Sequence, residues 1–456
     1  MLIGPQREED RISVTPCAVP VDPGRFSAGL DCTCGEFLAL WGATSAEMPE
    51  TGRRVGVLRQ RSTARAAGRL IDDLAGEIER LPESEPECRV WRERVRERIQ
   101  QFGHDRLGWP DGYRRLLLGD QFYESALAFV REARVFDPRL SLEHVGQALR
   151  NVWIGNSFQM LLDRPVELRP GLFAYSLLYP VTDNWLDDRR VSSAAKGAFN
   201  DRLGQRLAGV FVRPADDRDA AVAQLVARIE DEFPRDRLPS VYASLLAIHD
   251  AQVRSLAQQG GIGLVDANLL DISFRKGGSS VVADLHLVAD VVLPLEERFA
   301  FGYGVCLQLL DDLQDVEADL AAEHETLFTR AARRGPLDEP TARLAHFLDT
   351  VLLRNGRFDG PSFTDRIDLI RRNCLTLLVG SVAENPTRFT RRFRRDLERR
   401  WPVSLRSHRR LRRRALTRWS RAQSAVLGRR SSPANGGTGQ SAGTLEIIDQ
   451  LANSAR

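Results

Sequence analysis

The chain has 456 residues, 43% of them hydrophobic and 28% charged, which is enough apolar material for a large core in one or two domains. No apolar run reaches the roughly 18 residues of a membrane span, and the charged N-terminus lacks the apolar core of a signal peptide, so we expect a cytoplasmic protein. The net charge of +3 conceals an asymmetry. Residues 388–430 hold seventeen arginines and two acidic residues, so the remainder of the chain is net acidic.

The sequence predicts four segments of different character. Residues 1–60 are rich in proline and show little periodicity, which predicts an irregular N-terminal segment. From 61 to 385, apolar residues recur at spacings of three and four, and the alternation of strands with helices is absent. This pattern predicts an all-α bundle. Within it, one helix should end before Pro138 and the next should begin after Ser141, a favourable N-cap residue.

The last two segments differ again in composition. Residues 386–430 are rich in arginine and place apolar side chains at four-residue intervals, namely Phe389, Phe393, Leu397 and Trp401. This pattern predicts an amphipathic tail. Residues 431–456 begin with a Gly- and Ser-rich stretch typical of a flexible linker and end in a sequence that could form a short helix.

Two aspartate clusters lie in apolar helical sequence, one in "AYSLLYPVTDNWLDDRR" (174–190) and one in "LQLLDDLQDVEADL" (307–320). Each has a doubled Asp and a pair spaced by four, which places carboxylates on one helical face where they repel each other. Solvated helix faces would tolerate this pattern, but facing clusters in a bundle need cations. Oxygen ligands without a nearby His or Cys cluster favour Mg²⁺. The expected ligands are Asp183, Asp187, Asp188, Asp311, Asp312 and Asp315.

The second cluster carries a family resemblance. "GVCLQLLDDLQDV" resembles the QxxDDxxD motif of class I isoprenoid synthases, the trans-prenyltransferase and squalene-synthase-like group, with Gln308 at its first position. "DNWLDD" is similar to their first Asp-rich motif. "FRKGGSSVVADLHLV" (274–288) is similar to the Lys-bearing, helix-breaking segment that precedes the second motif. The Gly-Gly-Lys-Arg motif of chain-elongating synthases and the second metal motif of most cyclases are absent, so the chain most resembles the bacterial "class 1 isoprenoid biosynthesis enzyme" group.

The resemblance implies an isoprenoid-synthase-type bundle with a central apolar cavity, and several Mg²⁺ ions bound together with the diphosphate of a prenyl substrate. Asp183, Asp187, Asp311 and Asp312 would then be catalytic through those ions. Lys276 would contact the diphosphate, beside Gly277 and Gly278, which would permit a break in the helix. The other expected diphosphate ligands are Arg189, Arg190, Lys196 and Gln308, although each cation could equally be an ordinary surface residue.

Aromatic residues near the first motif are the expected lining of the cavity. Tyr179 and Tyr175 lie four and eight residues before Asp183, on the same helical face. In prenyltransferases of this type, bulk at such positions limits chain length. Phe158 would face the same cavity. Ordinary core packing remains the alternative for all three.

These features favour a Mg²⁺-dependent class I isoprenoid synthase that ionises an allylic prenyl diphosphate and forms a C–C bond. The first alternative is a class I terpene cyclase with the same fold. The second is a non-catalytic helical interaction protein, tethered to the membrane by its basic tail.

The arginine-rich tail also bears on partners and location. The tail, residues 388–430, could be solvated or could contact anionic lipid at the inner membrane face through its apolar stripe. We expect no nucleic-acid partner, since no recognised binding motif accompanies the charge. The resemblance implies a homodimer.

Overall fold

Helices make up almost all of the regular structure in the computed structural model, which describes residues 23–48, 54–82, 84–117, 119–186, 188, 190–259 and 264–430. The predicted all-α class is confirmed for these residues. The helices are α1 Pro23–Ala43, α2 Val57–Glu79, α3 Glu85–Phe102, α4 Gly112–Leu117, α5 Asp120–Phe136, α6 Leu142–Leu161, α7 Pro170–Leu186, α8 Ser193–Leu207, α9 Asp217–Glu232, α10 Pro239–Ser255, α11 Asp266–Val288, α12 Pro294–Gln314, α13 Val316–Ala321, α14 Leu327–Arg334, α15 Asp338–Leu353, α16 Thr364–Glu384, α17 Arg391–Glu398 and α18 Leu405–Arg430.

Shorter helical turns complete these elements. A π-helical turn, Gly103–Leu107, follows α3, and 3₁₀ turns lie at Leu256–Gln258, Pro361–Phe363 and Pro386–Arg388. The predicted boundary between α5 and α6 is confirmed. The α5 helix ends two residues before Pro138, and the Ser141 hydroxyl accepts a hydrogen bond from the backbone N–H of His144 at 3.1 Å.

The central pair of helices is α11 and α12, which pack against each other and against α1, α6, α7, α10, α15 and α16. Their backbones touch at Gly277 and Gly304. A Cβ on Gly277 would lie 2.5 Å from the carbonyl oxygen of Gly304, so only glycine fits there. The predicted helix break at Gly277 and Gly278 is wrong, because α11 continues unbroken to Val288. The glycines instead allow two helix backbones to touch.

The N-terminal segment differs from the prediction over residues 23–43. They form α1, which buries Leu30, Cys34, Phe37 and Trp41 against the central helices. Three prolines precede this helix and Pro23 starts it, where a missing N–H costs nothing. The high proline content of residues 1–60 predicted an irregular segment, whereas residues 23–43 form a helix that packs into the core.

The arginine-rich segment is also integrated with the bundle. Phe389 and Phe393 stack with ring centroids 5.5 Å apart, and both are buried together with Leu397. The α18 helix packs along α2 and α16. The apolar stripe therefore faces the protein, so neither the solvated nor the lipid-facing alternative holds for these three side chains. The predicted linker and terminal helix, 431–456, lie outside the described residues.

None of the described helices is both long enough and apolar enough to cross a bilayer.

Candidate functional site

The second aspartate motif lies where α12 ends. Asp311 is exposed and Asp312 is buried in the last turn, while Asp315 is the residue that ends the helix. The chain turns there into α13, and Asp319 follows one turn later. The backbone N–H of Asp319 bonds to the carbonyl oxygen of Asp315 at 2.8 Å, which is the first hydrogen bond of α13. Four carboxylates are thereby gathered at one end of the central helix pair.

Asp312 is a buried carboxylate held by two side-chain hydrogen bonds. Its Oδ1 accepts a hydrogen bond from the Gln308 amide at 2.8 Å, and its Oδ2 accepts one from the Ser273 hydroxyl at 3.1 Å. Ser273 belongs to α11 and reaches Asp312 because the two helices meet at the nearby glycine contact. Gln308, predicted as a diphosphate ligand, directs its amide nitrogen to this carboxylate.

Burial and mutual repulsion raise the proton affinity of these groups. Burial, with a contribution from the neighbouring Asp311 charge, raises the pKa of Asp312 to about 7. Desolvation and Asp311 raise the pKa of Asp315 to about 6. Desolvation and the three other carboxylates raise the pKa of Asp319 to about 8. The cluster therefore holds more negative charge than its own surroundings stabilise, and a bound cation would relieve that imbalance.

Two cations of the protein act on this cluster. The ammonium group of Lys276, one turn after Ser273 on α11, lowers the pKa of Asp312 and of Asp319. The guanidinium group of Arg150, on the exposed side of α6, lowers the pKa of Asp315. Lys276 was predicted at this site, whereas Arg150 was missed, because no motif surrounds it in the sequence.

The first aspartate motif lies at the end of α7, which runs through Pro180 without a break and places Asp183 in its last turn. The side chains of Asp183 and Tyr179 lie outside the described part of the structure, as do Asp187 and Arg189 entirely. Their predicted roles remain predictions.

The Asp188 carboxylate is held by a neighbouring arginine. Arg190 donates from Nε to Oδ1 at 3.0 Å and from Nη2 to Oδ2 at 2.7 Å. These hydrogen bonds lower the pKa of Asp188 to about 2. Arg190 is highly exposed and directs its guanidinium group to Asp188 rather than into the bundle.

One residue links the ends of the two motifs. The Gln259 amide nitrogen contacts the carbonyl oxygen of Leu186, the last residue of α7, at 3.4 Å, and its amide oxygen accepts a hydrogen bond from the buried Lys196 at 3.1 Å. Gln259 also forms an isolated antiparallel β-bridge with His324, whose N–H bonds to the carbonyl oxygen of Asp319 at 2.9 Å. The end of α7 and the turn after α13 therefore both contact Gln259.

The residues predicted to line a cavity lie in the core. The rings of Phe299 and Tyr303 pack against Phe158, which is fully buried, with centroids 6.2 and 6.3 Å away. The Tyr175 hydroxyl donates to the carbonyl oxygen of Ser280 on α11 at 3.1 Å. Both side chains thus face the central helix pair, and their contacts are also those of core residues.

A buried acid deeper along α11 was missed by the sequence reading. Asp284 is fully buried and accepts one hydrogen bond, from the Asn151 amide at 2.8 Å. Its other oxygen has no partner, and burial raises its pKa well above the ordinary value. The Asn151 amide also bonds to the Ser176 hydroxyl at 3.1 Å. Asp284 lies eight residues beyond Lys276, about 12 Å along the helix axis.

A Mg²⁺ site at the second motif would need further ligands. Among the described residues, no three His, Cys, Asp or Glu side chains form a ready-made cation cage. Mg²⁺ commonly takes only one or two protein carboxylates and completes its shell with water and substrate phosphates. Burial is the largest cause of the raised pKa values of Asp312 and Asp315, so their surroundings stabilise the ionised carboxylates poorly.

Comparison with protein-family models, with curated proteins and with solved structures finds no match for this chain.

Proposed function

We propose that the chain is a Mg²⁺-dependent class I isoprenoid synthase, which ionises an allylic prenyl diphosphate and forms a carbon–carbon bond. The observation that carries the proposal is the gathering of Asp311, Asp312, Asp315 and Asp319 at one end of α12, facing Lys276. The contacts of Gln259 support it, because Gln259 meets Leu186 at the end of α7 and pairs with His324 in the turn that follows Asp319.

The chemistry needs positive charge where a diphosphate leaves. Ionisation breaks the bond between the allylic carbon and the diphosphate oxygen, and both electrons leave with the diphosphate. Bound Mg²⁺ would supply most of the charge that stabilises this leaving group, and Asp311, Asp312 and Asp315, with Asp183 and Asp187, would hold it. Lys276 would bind the same diphosphate from α11.

The protein's other task is to keep this arrangement fixed. Ser273 and Gln308 orient the Asp312 carboxylate from two sides, so that it need not reorganise when a cation binds. The apolar residues of α6, α7, α11 and α12 exclude water, which would otherwise capture the allylic cation. Tyr175 and Phe158 belong to this apolar wall.

A product assay tests the proposal. Purified protein is incubated with Mg²⁺ and geranyl, farnesyl or geranylgeranyl diphosphate, each with and without isopentenyl diphosphate, and pyrophosphate release is measured. We expect release that EDTA abolishes and that is lost in Asp311→Ala and Asp183→Ala. The matched control is Asp236→Ala, which removes an exposed carboxylate far along the chain from both motifs.

The outcomes separate the alternatives. A longer product with isopentenyl diphosphate identifies a transferase, and an unchanged cyclic product identifies a cyclase. Absence of release from every substrate, or release that persists in Asp311→Ala, would contradict the proposed function.

A further inference from the structure

Two parallel helices carry rows of arginines beside the line along which they pack against each other. The α2 and α18 helices lie side by side, since Gly68 faces Leu411 and Arg414, and Ile78 packs in one cluster with Ala422. The contact partner on α18 thus advances by about ten residues, from Leu411 to Ala422, as the position on α2 advances from Gly68 to Ile78. The two helices therefore run in the same direction. Side chains at four-residue spacing form parallel rows along both.

Each helix presents one row of three arginines. On α2 the row is Arg61, Arg65 and Arg69, all exposed. On α18 it is Arg410, Arg414 and Arg418, beside the α2 row. We call these six residues the arginine face.

Little negative charge balances this face. Arg414 and Arg418 both pair with Asp72, whose Oδ1 lies 3.1 Å from each Nε. The four other arginines of the face form no ion pair with any described residue. Neither row is interrupted by an acid, since no Asp or Glu lies between Arg61 and Arg69 or between Arg410 and Arg418.

Two exposed aliphatic side chains extend the α2 row. Val57 is 60% exposed and Leu58 is 81% exposed at the start of the helix. Leu58 lies three residues before Arg61 and seven before Arg65, on the same side of α2. Exposed aliphatic residues in line with cations are typical of surfaces that bind the interface of a bilayer.

We propose that the arginine face, with Leu58 at its edge, binds a membrane surface that contains anionic lipids. A nucleic acid fits less well, because single-stranded binding uses exposed aromatic platforms and the aromatic residue of α18, Trp419, packs against the cluster around Trp91. The proposal goes beyond the proposed function and does not depend on it, although the prenyl chains of such substrates partition into membranes.

A vesicle-binding experiment on the full chain tests this proposal. Co-sedimentation is measured with vesicles of phosphatidylcholine mixed with phosphatidylglycerol, and with pure phosphatidylcholine vesicles. The test variant is the triple change Arg61→Glu, Arg65→Glu and Arg69→Glu. The matched control is Arg131→Glu, Arg213→Glu and Arg237→Glu, which alters the same charge at exposed positions elsewhere.

We expect wild type and the control to bind the anionic vesicles and not the neutral ones, with binding weakened by high salt. The triple variant should bind about 100-fold more weakly. Leu58→Ser should weaken vesicle binding further than it weakens binding to a polyphosphate of similar charge, because only a bilayer offers an apolar interior. Circular dichroism of each variant checks that it is folded.

Three results would overturn the proposal: wild type that ignores anionic vesicles, a triple variant that binds like wild type, or binding to RNA without binding to vesicles. Pyrophosphate release from water-soluble geranyl diphosphate is measured in parallel and should be unchanged in the triple variant. In wild type, pyrophosphate release without vesicle binding contradicts the membrane surface, and vesicle binding without pyrophosphate release contradicts the proposed function.

Discussion

Gly304 on α12 lies directly against the carbonyl oxygen of Gly277 on α11, so that a Cβ at Gly304 would overlap it. This backbone contact brings Ser273 and Lys276 of one helix to the carboxylates of the other. It couples the packing of the core to the geometry of the candidate site.

Gly304→Ala should therefore destabilise the protein by about 1–3 kcal/mol or more, because the obstructing atoms are backbone atoms that cannot rotate away. Chemical denaturation measures the loss. Gly35→Ala is the control, since Gly35 is a helical glycine with open space around it and should gain about 0.5–1 kcal/mol. Equal stabilities of the two variants would contradict the contact.

The metal-free protein should become less stable as the pH rises from 5 to 8. The pKa values of Asp312, Asp315 and Asp319 lie at about 7, 6 and 8, above those of an unfolded chain. The folded state therefore binds more protons than the unfolded state in this window, and its free energy of unfolding falls with increasing pH. Thermal unfolding in EDTA at both pH values measures the trend.

Asp312→Asn should reduce that trend and raise the stability at pH 8 by about 1–3 kcal/mol. Asp188→Asn is the control, because the Asp188 pKa of about 2 places its titration below the tested window. A steeper pH dependence in Asp312→Asn than in wild type would contradict the assigned charge state.

Mg²⁺ should raise the melting temperature at pH 8, since an ion that binds only the folded state stabilises it by about 2.7 kcal/mol at 100 times its dissociation constant. The shift should shrink at pH 5, where Asp312, Asp315 and Asp319 are mostly protonated, and in Asp312→Asn. Differential scanning fluorimetry against Mg²⁺ concentration measures it. An undiminished shift in Asp312→Asn would place the ion elsewhere.

Phe37→Ala should cost about 3–5 kcal/mol, because Phe37 on α1 stacks on Phe301 and packs against Phe347 in the core. Leu58→Ala, at an exposed position, should change the free energy of unfolding by no more than about 0.5 kcal/mol. If α1 did not pack into the core, both variants would change the free energy of unfolding only slightly.

Features that depend on neighbouring residues within a helix could be predicted from the sequence. It identified the all-α class, the Ser141 cap and the second aspartate motif, since each depends on residues within one or two turns. It could not identify Ser273 and Arg150 as neighbours of that motif, because they come from α11 and α6, and only the packing of the helices brings them near α12. Gln259 was missed for the same reason.

The two corrected segments have a different cause. Proline spacing suggested an irregular N-terminus, but Pro23 begins a helix instead of interrupting one. The stripe of Phe389, Phe393 and Leu397 was identified as amphipathic, and the periodicity could not say whether its apolar side meets lipid or protein. The arginines around the stripe suggested lipid, whereas the structure packs it against protein.

The packing of α18 along α2 determines how the basic segment can be studied. A chain shortened at residue 385 would uncover Ala75, Ile78 and Trp91, which now pack with Ala422, and would leave apolar surface that promotes self-association. A change in the behaviour of such a chain could come from the exposed apolar surface as well as from the missing arginines. Charge reversal at single positions leaves that interface closed, so it separates the behaviour of the surface from the integrity of the bundle.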